Sequence, residues 1–169
     1  MKNKEPMTKE RLRSYTNLIR EIDNQIERLE LMEEKLTAPA SPRLDGMPRA
    51  GASTFDRMAL EIAKKEELER GIKRLIQKER DEAADIQEAV NLLRNPDERQ
   101  VILMRYIDGL EWPEICEALF GQEKDFEERA DVLMRKTFRI HGRALANLEK
   151  ATTPPEEQRS EEERDLLKK

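Results

Sequence analysis

This 169-residue chain holds one cysteine, one histidine and one tryptophan, and its aromatic residues make up only 4%. A lone Cys116 rules out an internal disulfide, and with His141 as the sole imidazole there is no Cys/His cluster to ligate zinc. No phosphate-binding glycine loop and no nucleophile elbow occurs, and nothing in the sequence places the many carboxylates together as a metal-dependent nuclease would need. The expectation is therefore a protein that is not an enzyme and carries no cofactor or metal. No apolar run approaches the ~18 residues of a membrane span, and no signal-peptide core is present, which predicts a soluble intracellular protein without a membrane partner. With 41% charged and 37% hydrophobic residues, the balance suits long exposed helices better than a broad sheet core. The net charge of -5 argues against general coating of nucleic acid, so any polyanion must be met by a local patch.

Such a patch is present. Over residues 132 to 150 a helical step of roughly 100° per residue gathers Leu133, Met134, Phe138, Ile140, Ala144, Leu145 and Leu148 into one arc. Arg135, Lys136, Arg139, Arg143 and Lys150 fall nearly opposite, at roughly 200° to 300° on the same wheel. A solvated face is the plain alternative, but a cationic ridge in a net acidic chain points to a polyanion, and DNA is the obvious one.

Upstream, residues 8 to 36 carry Tyr15, Leu18, Ile22, Ile26, Leu29, Met32 and Leu36 in alternating three- and four-residue steps, a seam for another helix. Residues 37 to 54, with Pro39, Pro42, Pro48, Gly46 and Gly51, read as a linker. A second long helix from Thr54 bears Phe55, Met58, Ile62, Ile72, Leu75, Ile76, Ile86, Val90 and Leu93, weakened at Gly71. The two helices are expected to fold back antiparallel. The spacing does not name what covers the seams, so a monomeric hairpin and a homo-oligomeric coiled coil both stay open.

At Asn95 the sequence N-P-D-E supplies an N-cap, a proline at the first helical position and Glu98 placed for a capping box. The predicted helix through Val101, Ile102, Met104, Tyr106 and Ile107 ends at Gly109, and a short one follows with Trp112, Ile115, Cys116 and Leu119, stopped by Gly121. Residues 122 to 131 are rich in acid, and D-F-E-E from Asp125 to Glu128 is a further capping box. The last helix can thus begin at Asp125 and would run about 39 Å to Lys150. This divides the chain into an all-α coiled-coil hairpin over 1–94, a helix-turn-helix domain over 95–150 and a charged tail over 151–169 expected to be disordered.

The residues of this second part carry a resemblance. NPDERQVILMRYIDGLEWPEICEAL resembles region 4 of bacterial sigma factors, in which an "RY..G" turn precedes an "EI" helix, and TFRIHGRALANL resembles the closing helix of phage transcriptional regulators of the RinA and ArpU type. The linker SPRLDGMPRAG between two coiled helices is similar to related phage proteins. The resemblance implies a sigma region 4-like helix-turn-helix and a phage or prophage DNA-binding regulator in the bacterial cytoplasm. It further implies an activator of late genes that works with host RNA polymerase. By this resemblance Arg105, Tyr106, Gly109, Trp112, Glu114 and Ile115 match the supporting helices, and Thr137, Arg139, His141 and Arg143 match the reading helix. The residues expected to meet double-stranded DNA are Arg135, Lys136, Thr137, Arg139 and Arg143, with phosphate contacts ahead of base contacts. His141, Tyr106 and Trp112 are expected to be packed in the core.

One departure from the sigma pattern is the segment of about ten residues, mostly acidic, between Gly121 and Val132. Acid beside phosphate repels, so this segment either turns away as its own element or the ridge meets something other than DNA. Two other functions fit the same elements. A phage small terminase subunit also joins a helix-turn-helix to a helical oligomerisation region, and a coiled-coil adaptor would bind RNA polymerase without touching DNA.

Overall fold

The computed structural model describes residues 5–38 and 54–154, except the side chains of residues 54 and 55. The linker expected over 37–54 lies outside the described residues from 39 to 53, and the tail expected over 151–169 does so from 155 onward. The described residues are all-helical, with no strand. The elements are α1 (Lys9–Thr37), α2 (Thr54–Asn91), α3 (Pro96–Ile102) with a π-helical continuation (Leu103–Ile107), α4 (Trp112–Phe120) and α5 (Ala130–Thr152). No helix is long and apolar enough to cross a membrane among the described residues.

The described residues form two compact units: 5–17 with 81–154, and 18–38 with 54–80. Both contain parts of α1 and α2. In the first unit Arg11 near the start of α1 meets Glu82 and Asp85 near the end of α2, at 3.0 and 2.8 Å. In the second, Glu33 near the end of α1 meets Lys65 near the start of α2 at 2.8 Å. That order of pairing is the one an antiparallel hairpin requires. Burial along the seam is uneven. Tyr15, Leu18 and Ile22 are buried with Leu12, which the heptad reading left out, and so are Ile72, Ile86, Val90 and Leu93. Ile26, Met58 and Ile62 belong to the same stripes yet are 37%, 53% and 42% exposed.

The first unit owes its solidity to α5. Leu133, Thr137, Ile140, Ala144 and Leu148 are buried at successive steps of four, three, four and four residues, the spacing of a single helical face. Val101 of α3, Ile115, Cys116 and Phe120 of α4, and Leu133 and Ile140 of α5 form one cluster. Each fully buried leucine or isoleucine there contributes about 1.5–3 kcal/mol. The helix ends at Thr152, and the next residue, Thr153, has the extended backbone that the following Pro154 demands.

Local chemistry sets the other boundaries. Asn95 caps α3 by accepting from the Asp97 N–H at 2.9 Å, with Pro96 at the first position. Glu98 does not close the expected capping box. It is 5% exposed and accepts instead from Asn147 Nδ2 of α5 at 2.9 Å. The helix then widens: the Asp108 N–H reaches back five residues to the Leu103 carbonyl at 3.0 Å. Gly109 ends it at φ 71°, in the left-handed region that a side chain would strain. Glu111 starts α4, its N–H held by Glu114 Oε2 at 2.7 Å.

Candidate nucleic-acid interface

The cationic side of α5 stands opposite its buried face. Arg135, Lys136, Arg139 and Arg143 are all exposed. Because α3 and α4 both pack on the other side, the ridge is held by a filled core. Lys136, Arg139 and Arg143 line one open depression of about 530 Å³. Among the described residues no ion pair engages Arg135, Arg139 or Arg143, whereas Lys136 lies 3.8 Å from Glu123 and sits over the Phe120 ring at 4.1 Å. The four positions therefore differ. Among the described residues three guanidinium groups have no ion-pair partner, while the ammonium is partly neutralised and leans on an aromatic face.

Thr137 departs from this set. It is 0% exposed, between Leu133 and Ile140, and its hydroxyl donates to the Leu133 carbonyl at 3.0 Å. Its angle on the wheel, roughly 40° from Leu133, sets it on the buried face, so the side chain expected at the DNA is packed in the core instead. Phe138 departs in the opposite sense. Placed in the apolar arc by the sequence, it is 46% exposed, because it lies roughly 140° from Leu133, beyond the edge of the buried face.

The acidic segment after Gly121 does not extend α5 back to Asp125. Residues 121–129 form a run of turns, with the Phe126 N–H donating to the Glu123 carbonyl and the Arg129 N–H to that of Asp125. Phe126 packs against the core cluster and fastens the segment down. Glu123 faces both Arg129, at 3.2 Å, and Lys136. One carboxylate of this segment thus lies beside the first turns of the ridge, while Arg139 and Arg143 lie one and two turns further on.

Behind the ridge is an aromatic nest. The Tyr106 hydroxyl and His141 Nε2 are hydrogen-bonded at 3.2 Å, and the two rings stack at 5.9 Å. Trp112 meets both His141 and Phe138 edge-on, each at 4.9 Å between centroids, and Arg105 lies over the indole at 5.1 Å. Burial, with the charges of Lys9 and Arg105, lowers the His141 pKa to about 4. Burial also raises that of Tyr106. Arg105 donates to the Leu110 carbonyl at 2.8 Å and pairs with Glu111 at 3.4 Å, locking the turn into α4. Tyr106 is buried, as expected, whereas His141 and Trp112, also expected in the core, are only half-buried. Among the described residues no cluster of three His, Cys, Asp or Glu side chains is arranged to hold a metal.

The site is thus a helix packed on two shorter helices, with arginines on its outer side. A family model described as a protein of unknown function, DUF1492, matches residues 54–131. The match spans α2, α3, α4 and the acidic segment and stops at the second residue of α5, short of the ridge. No curated protein matches the chain, and no solved structure does.

Proposed function

We propose that the protein is a double-stranded-DNA-binding transcriptional regulator of phage or prophage origin that works with host RNA polymerase and docks on the duplex through α5. The observation that carries this reading is the exposure of Arg135, Arg139 and Arg143 on one side of a helix, with no carboxylate partner among the described residues. That three guanidinium groups have no carboxylate partner among the described residues supports a role for them outside the molecule. The order helix, Gly109 turn, α4, connection, α5 fits a helix-turn-helix in which α5 enters the major groove and α3 and α4 brace it. The likeness of residues 95–148 to sigma region 4 and to RinA- and ArpU-type regulators supports the same reading. Arg139 and Arg143 then neutralise phosphate or grip guanine through two hydrogen bonds.

The test is binding of the full chain to duplex DNA as a function of salt. Each phosphate neutralised steepens the log-log slope by about 0.9. Replacing both Arg139 and Arg143 by alanine is expected to weaken binding severely and flatten that slope by about 1.8, with helicity and melting temperature unchanged because both side chains are exposed. Equal affinity of the double variant would reject these contacts. Failure of the wild-type chain to bind DNA, together with binding to RNA polymerase, would establish the adaptor role in its place.

A further inference from the structure

Between the arginines α5 presents something that phosphate does not call for. Arg135, Phe138, Arg139 and Gly142 follow the i, i+3, i+4, i+7 spacing of one helical face, and all four are exposed. Phe138 at 46% and Val132 at 49% are the exposed large hydrophobics of this helix. A side chain built at Gly142 would meet nothing within 4 Å, so this part of the helix is bare. Ala146, one turn on, is also exposed. The outward side of α5 therefore mixes guanidinium groups with an exposed aromatic ring and two positions of little bulk, Phe138 lying at the edge of the basic ridge.

Resting on the DNA-binding reading, we propose that Phe138 is a base-reading residue that packs on the 5-methyl group of thymine in the major groove. The major groove displays that methyl as its apolar feature, and aromatic or aliphatic side chains recognise it by contact. Arg135 and Arg139, beside the ring on the same face, complement phosphate, and the absence of bulk at Gly142 and Ala146 lets the helix approach the groove floor. The ring is already oriented by its edge contact with Trp112 at 4.9 Å, so little rotamer freedom is lost on contact. Each methyl covered corresponds to about a three- to fourfold gain in affinity.

The experiment uses the full-length protein and two pools of random-sequence duplexes, one made with thymine and one with uracil, which lacks only the 5-methyl group. The wild-type chain is expected to prefer the thymine pool about threefold or more. Phe138→Ala is expected to bind both pools equally with its salt slope unchanged, and Phe138→Leu to retain part of the preference. Equal binding of the two pools by the wild type would overturn the proposal. So would a preference that survives in Phe138→Ala, which would leave the ring to a protein surface. If Phe138→Ala does not fold, the wild type and Phe138→Leu still decide the matter. Failure of the wild type to bind either pool is a different result, since it refutes the DNA reading itself and this inference with it.

Discussion

Asn147 of α5 donates its side-chain amide to the carboxylate of Glu98 in α3 at 2.9 Å, tying the helix that carries the ridge to the helix behind it. Glu98 is 5% exposed, so the bond satisfies a carboxylate largely removed from water. Asn147→Ala is expected to lower unfolding stability by about 1–3 kcal/mol, since the carboxylate then loses its donor. Denaturant unfolding measures this, and a double-mutant cycle with Glu98→Ala isolates the pairwise part. Additive single effects would mean that the two groups do not interact.

What was legible in the sequence and what was not follow from the kind of signal each residue gives. Asn95 with Pro96, Gly109, and Trp112 with Pro113 mark real boundaries, because backbone constraints at these residues are local and tertiary context seldom overrides them. Leu133, Ile140, Ala144 and Leu148 were legible as core for the same reason of fixed geometry. The start of α5 was not. D-F-E-E has the pattern of a capping box, yet burying Phe126 against the core draws the segment into turns and delays the helix to Ala130. Glu98 likewise had a local partner in prospect and took a distant one. The widened turn at Leu103–Ile107 is invisible to any count at 3.6 residues per turn. The stripes of α1 and α2 named candidate core residues but not which of them another helix would cover. Of the ridge, periodicity located the exposed cations but could not reveal that Glu123 lies beside one of them.

Thr137 distinguishes packing from recognition. Its hydroxyl serves only a carbonyl of its own helix, in a fully buried position. Thr137→Val is expected to change stability by less than about 1.5 kcal/mol and to leave DNA affinity and salt slope as they are. A selective loss of affinity in a normally folded variant would return Thr137 to the interface.

His141 makes stability depend on acid. Its folded-state pKa is lowered from 6.5 to about 4, chiefly by burial, so between those values the unfolded chain binds the proton and the folded chain does not. Stability contributed by the neutral ring is therefore complete above about pH 6.5 and is lost as pH falls toward about 4. Partial exposure of the ring limits the loss to about 1–2 kcal/mol. Melting temperatures across that window are expected to fall more steeply for the wild type than for His141→Gln, which has no imidazole to protonate. Parallel curves would mean that the ring titrates alike in both states.

Glu123 is expected to act as a brake on the ridge. Its carboxylate is shared between Arg129 and Lys136, at 3.2 and 3.8 Å, and all three side chains are substantially exposed, so the pairs add little to stability. Facing DNA, the same carboxylate repels phosphate and occupies an ammonium that would otherwise reach it. Glu123→Gln removes the charge while keeping the shape of the side chain. The melting temperature should scarcely move, whereas affinity for duplex DNA at low salt should rise severalfold and the salt slope should steepen by about 0.9 as Lys136 becomes available to one more phosphate. Lys136→Ala in the same background should abolish the steepening. A gain in affinity that persists without Lys136 would trace the effect to long-range repulsion alone, and no gain at all would mean that this end of α5 lies away from the duplex.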